Sequence, residues 1–131
     1  MATSIPSHLS VHEINQHKLN VEYKHWISRL SFFEEELDFY GRLLTSDIFR
    51  NTESSTAVLV LIPTMKVANR EILDSVHRYR NNLESYRECE DLECDNFYLN
   101  DHENFRVLLE KHSAKIREFK TKVFNTVDPK L

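Results

Sequence analysis

Apolar side chains recur along three long stretches of the chain with alternating gaps of three and four residues. This spacing places them on one stripe of an α-helix, and over several heptads it is typical of helices that pack as in a coiled coil. The stripe positions are Leu19, Tyr23, Trp26, Leu30, Phe33, Leu37, Tyr40 and Leu44; Ile62, Met65, Asn69, Ile72, Val76, Tyr79, Leu83 and Tyr86; and Tyr98, His102, Phe105, Leu109, His112, Ile116, Phe119 and Val123. The pattern predicts three long helices.

Polar and cap-forming residues set the predicted ends of these helices. Ser10 and Glu13 have the capping-box spacing, the polar stretch 51–56 separates the first two helices, and the acidic stretch 89–100 separates the last two. We predict helices over about 11–49, 54–90 and 100–126 in one domain spanning 10–126, with flexible ends at 1–9 and 127–131.

Composition supports the same fold class. The chain of 131 residues has one glycine and three prolines, although ordinary usage is about 7% and 5%. Turns between strands depend on these residues, so a β-rich fold is disfavoured. Short connections make sequential helices antiparallel neighbours. We therefore predict an all-α, antiparallel up-down-up three-helix bundle with coiled-coil-like packing; a close helix crossing would account for Gly41 inside the first helix.

Charge and hydropathy narrow the range of partners and compartments. The net charge is −4, which gives no general attraction to a nucleic-acid backbone. The longest apolar run, 57–62, is too short to span a bilayer, and residues 1–10 lack the features of a secretory signal. We expect a cytoplasmic protein in which Cys89 and Cys94 are reduced thiols; the alternative is a mature secreted chain with one small bridge.

A second set of apolar residues lies beside the main stripes. On the first helix it includes Phe32 and Phe39, and the run 58–61 is apolar on every side of the second helix. Either these residues are ordinary core of offset helices, or they pair across a two-fold axis to complete a larger bundle. The predicted homodimer interface consists of Phe32, Phe39, Leu43, Val58 and Leu61.

Histidines and cysteines are expected at one end of the bundle. The up-down-up order brings together the start of the first helix, the end of the second and the start of the third. The candidate metal ligands there are His12, His17, Cys89, Cys94 and His102. Imidazole and thiolate are ligands that zinc prefers, but the Cys89-x4-Cys94 spacing is not a strong zinc pattern. We therefore predict no metal site and expect solvated polar residues and two reduced thiols at this end, with metal binding as the alternative.

Polar residues also occupy the stripes themselves. Asn69, His102 and His112 lie at core positions, where a polar group needs a hydrogen-bond partner and often fixes the register of the helices. We expect neutral His112 to bond to a tyrosine or a carbonyl across the bundle. We therefore interpret Asn69 and His112 as residues that fix the register of the helices.

Signatures of catalysis are absent from the sequence. It contains no Gly-rich phosphate loop and no nucleophile elbow. Glu22 and His25 have the spacing of a di-iron carboxylate–histidine pair, but they flank Tyr23 without sharing its stripe. We therefore predict a non-enzymatic protein without a cofactor.

Charge is distributed unevenly along the third predicted helix. The segment 88–103 contains acidic residues and no lysine or arginine, and the segment 111–122 is rich in lysine and arginine. This order complements the helix dipole and is consistent with a solvated face. The functional alternative is docking of a basic partner on the acidic end.

One resemblance to known proteins rests on the first helix and the turn after it. The residues that carry it are His25-Trp26, Leu30-Ser31-Phe32-Phe33, Glu36-Leu37-Asp38-Phe39-Tyr40 and Asn51-Thr52. Over about residues 20–125 the chain resembles a group of small all-helical bacterial proteins of unknown function, although Pro63 and the apolar run before it depart from their pattern. The resemblance implies a three-helix fold and no activity.

Two functional hypotheses follow from the sequence. The first is a helical interaction or structural module that forms a homodimer and has an unidentified role or protein partner. The alternative is a metal-binding helical protein that uses the His/Cys cluster at one end of the bundle.

Overall fold

The three predicted helices are present in the structure. This computed structural model describes residues 8–50, 52–86 and 88–128, with side chains from residue 11 onward. Helix α1 is His8–Leu44, α2 is Glu53–Tyr86 and α3 is Leu92–Val127, and the described residues include no strand. Each helix contacts the other two. The all-α, three-helix fold class is therefore confirmed.

Ion pairs between helices give their relative directions. Glu34 pairs with Arg70 and Asp38 with Lys66, so residue numbers rise along α1 as they fall along α2. The pairs between α1 and α3 are Glu22–Arg106 and Glu36–Lys120. Residue numbers rise together along α1 and α3, so these two helices are parallel and α2 runs opposite to both. This is the up-down-up order.

The predicted stripes form the core. Every stripe position is buried or half-buried. One core cluster, which includes Trp26 and Tyr79, lies toward the α2–α3 connection, and a second, which includes Phe33 and Phe119, lies toward the α1–α2 connection. Buried Asn69 lies between the two clusters. The heptad spacing therefore predicted which side of each helix faces inward.

The end of α1 and the start of α2 follow from local hydrogen bonds. Helix α1 ends at Leu44 and not near 49, because the hydroxyls of Thr45 and Ser46 donate to carbonyls of the last turn. The chain then turns so that Phe49, 2% exposed, covers the core. Helix α2 begins after Thr52, whose hydroxyl oxygen accepts the Ser55 N–H at 3.0 Å. It continues through Pro63.

The predicted start of α3 is wrong. The helix begins at Leu92 and not near 100, because the Asp91 carboxylate accepts the Cys94 N–H at 2.8 Å and caps the first turn. Acidic residues in that turn favour a helix N-terminus, so the acidic composition marks a helix and not a connection. Helix α2 ends at Tyr86, before the predicted 90.

The predicted flexible ends lie mostly outside the described residues, which exclude 1–7 and 129–131. Residues 8 and 9 belong to α1, and Val127 belongs to α3 with its side chain buried. Residues 8, 9 and 127 are therefore helical where flexible ends were predicted.

We expect Gly41→Ala to stabilise the protein by about 1 kcal/mol. A Cβ atom at Gly41 would lie 4.0 Å from the Ile62 Cδ1 atom, an ordinary contact, so the helix crossing there does not require glycine. Urea unfolding measures the change, with Ala114→Gly at an exposed helical position as the reverse control. A neutral or negative effect of Gly41→Ala would mean that the crossing is closer than the structure places it.

Candidate functional site

A chain of hydrogen bonds joins all three helices inside the core. His102 of α3 is 1% exposed. Its Nδ1 atom bonds to the Tyr79 hydroxyl of α2, and its Nε2 atom bonds to Oε1 of Glu22 on α1. Arg106 donates to the same Glu22 oxygen at 2.7 Å. The Trp26 ring stacks on the imidazole, with centroids 4.7 Å apart.

The partners determine which nitrogen of His102 carries the hydrogen. An ionised carboxylate only accepts, so Nε2–H donates to Glu22 and Nδ1 accepts from the Tyr79 hydroxyl. Burial lowers the pKa of His102 and outweighs the opposite effect of Glu22. Burial by itself would raise the pKa of Glu22, but hydrogen bonds from Arg106 and His102 bring it below its usual value. Because its pKa is lowered, the imidazole of His102 is neutral.

A second buried polar pair lies between the two core clusters. The Asn69 amide donates to the Leu30 carbonyl at 2.8 Å, and its Oδ1 accepts from Nε2–H of His112 at 2.9 Å. Burial lowers the pKa of His112, so this imidazole is also neutral. Of the two predicted partners of His112, a tyrosine or a carbonyl across the bundle, the second is confirmed, because the acceptor is the side-chain carbonyl oxygen of Asn69 on α2.

The end of the bundle near the α2–α3 connection holds a buried histidine–carboxylate pair. Nδ1 of His12 lies 2.9 Å from Oδ1 of Asp95, and the two residues are 5% and 3% exposed. The His12 ring stacks on Tyr86 with centroids 4.5 Å apart. Cys89 and Cys94 form a disulfide at this end. The expectation of two reduced thiols is therefore wrong, and the alternative of one small bridge is correct.

The candidate metal ligands do not converge. Among the described residues, no three histidine, cysteine, aspartate or glutamate side chains are placed to hold an ion. Cys89 and Cys94 are bonded to each other and present no thiolate. His102 bonds to groups in the core, and His17 is exposed. The candidates therefore lie in four environments: the disulfide, the His12–Asp95 pair, the core site of His102 and the exposed surface at His17.

A cavity of about 260 Å³ opens between α1 and α3. Its walls are largely apolar and include Trp26 and Leu109, and the exposed side chain of Phe32 lies at its edge. Arg29 and Arg117 also line it, and neither makes an ion pair within the described part of the chain. The cavity thus combines apolar walls with unpaired positive charge.

Two more phenylalanines extend this surface. Phe39 follows Phe32 by two helical turns, and Phe124 follows Arg117 by two turns, so each lies on the side of its helix that carries the cavity. Phe32, Phe39 and Phe124 are 60%, 51% and 67% exposed. The ion pair between Glu36 and Lys120 places Phe39 and Phe124 at one level. We call this surface, with Arg29 and Arg117, the α1–α3 face.

The structure divides the predicted dimer interface between surface and core. Phe32 and Phe39 are exposed as the interface requires. Val58 is 4% exposed within the second core cluster, so its assignment to an interface is wrong. Leu43 and Leu61 are half-buried against the same cluster. The four consecutive apolar residues 58–61 point to all sides of α2, so at least one of them must face the core.

Sequence reasoning gave no role in these sites to several residues, which include Glu22, Asp95, Arg106 and Phe124. Glu22 turns inward to His102, although its position beside Tyr23 indicated a flanking residue; His25 is exposed. Phe124, which is 67% exposed on the α1–α3 face, was not among the residues predicted for a dimer interface. The sequence did carry a signal for Phe124: it follows the stripe position Val123 directly, so its large aromatic side chain lies off the inward stripe.

Comparisons with known proteins add no family assignment: no protein-family model, no curated protein and no solved structure matches the chain. Among the described residues, none of the helices combines the length and apolar character that crossing a bilayer requires.

Proposed function

We propose that this protein is a non-enzymatic helical interaction module that forms a homodimer through the α1–α3 face. The observation that carries the proposal is the exposure of Phe32, Phe39 and Phe124 on one side of the bundle, beside an apolar cavity. Large apolar side chains grouped in this way on one face of a soluble protein indicate an interaction site, and two-fold pairing of identical surfaces is the commonest arrangement of small homo-oligomers.

The buried polar groups support a structural role. His102 and His112, at 1% and 3% exposure, direct their ring nitrogens to Tyr79, Glu22 and Asn69 inside the core. A general base must reach its substrate within hydrogen-bond distance, directly or through one water. These imidazoles are instead covered by neighbouring helices, and their hydrogen bonds fix how the three helices align.

The predicted compartment and the exclusion of nucleic acid remain predictions. The net charge of −4 supports the exclusion of nucleic acid. The Cys89–Cys94 bridge is informative about the compartment, because disulfides persist in oxidising compartments and are rare in the cytoplasm. The bridge thus favours the secreted alternative over the cytoplasmic one.

We expect the wild-type protein to sediment at micromolar concentration as a dimer of the 15.6 kDa chain. Phe39→Glu places a charge in the apolar contact, so this variant should sediment as a monomer with the helical circular dichroism of the wild type. Val60→Glu is the matched control, because Val60 is 68% exposed on α2, away from the α1–α3 face, and this variant should remain a dimer.

Phe124→Glu repeats the test from α3, in case Phe39→Glu does not fold. A monomeric wild type would contradict the proposal. Dimers of both phenylalanine variants with wild-type affinity would also contradict it, because the contact would then lie elsewhere on the bundle.

A further inference from the structure

Two ion pairs join α1 to α3 at the two ends of the cavity between these helices. Glu22 pairs with Arg106, and Glu36 pairs with Lys120 two heptads farther along both helices. In each pair the α3 residue follows the α1 residue by 84 positions. Residues of α1 and α3 with this separation therefore lie at one level of the bundle, and the level midway between the two ion pairs is that of Arg29.

The middle level has no carboxylate. The α3 residue opposite Arg29 is Ser113, which carries no charge, and both residues line the cavity. Arg29 makes no ion pair within the described part of the chain. The levels on either side of it have closed ion pairs, so the α1–α3 surface lacks one negative charge between them.

A second guanidinium group lies close to the first on the opposite wall of the cavity. Arg117 of α3 is level with Phe33, four residues beyond the level of Arg29. Four residues correspond to about 6 Å along a helix. The two arginines therefore lie about one helical turn apart on facing walls, where a single anion between the walls can contact both.

The carboxylates near the cavity do not neutralise these arginines. Glu36 lines the cavity, but Lys120 lies 2.8 Å from one of its oxygens and the Tyr40 hydroxyl donates to it at 3.0 Å. Glu110 borders the neighbouring depression together with both arginines and pairs with neither of them. The cavity therefore keeps two positive charges without a counter-charge from the described residues.

The walls between the charged groups are apolar. They include Trp26, Leu30 and Phe33 from α1 and Leu109 and Ile116 from α3. An apolar cavity of about 150 Å³ binds benzene, so the 260 Å³ measured here corresponds by proportion to an apolar body of about ten carbons. Apolar walls with a few charged groups are the usual composition of a small-molecule site.

We propose that this cavity binds an organic carboxylate with an apolar body of about ten carbons. The carboxylate lies between Arg29 and Arg117, because guanidinium–carboxylate hydrogen bonds are charge-assisted and specific in geometry. The apolar body lies against Trp26 and Leu109. The site is built from one copy of the chain, so this inference goes beyond the proposed homodimer and does not depend on it.

The probe is 2-naphthoate, whose two rings contain ten carbons, and its neutral match is 2-naphthol. We expect isothermal titration calorimetry at pH 7.5 to give a 2-naphthoate Kd below about 1 mM. This Kd should be at least about fivefold lower than that of 2-naphthol, which lacks the carboxylate. Trp26 is the single tryptophan of the chain, so its indole N–H gives one NMR resonance, which should shift on binding.

Paired variants test the role of the two arginines. Arg29→Gln with Arg117→Gln removes both charges, so we expect the 2-naphthoate Kd to rise at least about fivefold while the 2-naphthol Kd stays the same. Lys115→Gln with Lys122→Gln changes the net charge equally on the opposite side of α3 and should keep the wild-type Kd.

Three results would overturn the ligand site. The first is an equal Kd for 2-naphthoate and 2-naphthol. The second is an equal loss of affinity in the arginine and lysine variants, because charge would then act only at long range. The third is a Trp26 indole resonance that stays in place at saturating 2-naphthoate, because the probe would then bind elsewhere.

Titration of the Phe39→Glu variant separates this proposal from the homodimer. Phe39 belongs to the proposed dimer contact but does not line the cavity, so the variant should bind 2-naphthoate at least as tightly as the wild type. Binding by this variant alone supports the site and places it beneath the dimer contact. Absence of binding by both proteins overturns the site, and a monomeric wild type that binds 2-naphthoate overturns the homodimer alone.

Discussion

Lowering the pH from 7.5 to 5.5 destabilises the folded protein steeply. Burial lowers the pKa of His102 and of His112 below the ordinary value of 6.5. Below that value the unfolded chain binds two protons that the folded protein does not bind. Stability is therefore full above about pH 6.5 and is lost as the pH falls from there toward the folded-state values, with a slope that approaches about 2.7 kcal/mol per pH unit.

The groups around each imidazole determine how firmly it stays neutral. Glu22 and Asp101 favour protonation of His102, while burial and Arg106 oppose it. Only burial and the positive charge of Lys115 act on His112. The Glu22 carboxylate, whose pKa lies below its usual value, contributes its own acid sensitivity only below about pH 4.5. The two effects therefore begin at different pH values, that of the histidines near 6.5 and that of Glu22 near 4.5.

Urea unfolding at several pH values and one protein concentration measures this slope. His77→Gln is the control, because His77 is exposed on α2, away from the α1–α3 face, and its variant should keep the wild-type slope. A free energy of unfolding that stays constant between pH 7.5 and 5.5 would show that the two imidazoles are not held neutral in the core.

Replacing Asn69 with leucine lowers the free energy of unfolding by about 3 kcal/mol. Asn69 is 0% exposed and is the acceptor for Nε2–H of His112, which is itself buried. Leucine leaves that N–H without a partner inside the core. The cost is the desolvation of a polar group that no longer forms a hydrogen bond, which exceeds the net value of the bond itself.

The double variant Asn69→Leu with His112→Leu isolates this effect. Removing both partners leaves no orphaned group between them, so we expect the double variant to lie within about 1 kcal/mol of the wild type. It should also lose about half of the pH slope, since one of the two neutral imidazoles is gone. Purely additive losses in a double-mutant cycle would contradict the pairing of Asn69 with His112.

The periodicity of apolar residues was sufficient to predict which side of each helix is buried. Side chains such as Leu30, Val76 and Leu109 recur with the pitch of packed helices, and this information is local to each segment. The first residue of α3 and the last residue of α1 were less predictable. Whether Asp91 or a later residue caps α3 depends on which carboxylate can reach a free N–H, and several candidates lie within the acidic stretch.

The partners of buried polar groups could not be predicted from spacing. The sequence marked His102 and His112 as core positions that need hydrogen bonds. The alignment of α1 against α3 decided that Glu22 meets His102, and the alignment of α2 against α3 decided that Asn69 meets His112. A shift of one helical turn, about 5.4 Å, would separate both pairs.

The sequence by itself determined the fold class, the number of helices and the inward stripe of each, because a repeating apolar pattern depends only on distances along one helix. Only the tertiary structure decided which surplus apolar residues stay on the surface and which polar groups meet. Val58 became core while Phe39 remained exposed. That difference depends on where the neighbouring helices lie, which no spacing within one segment encodes.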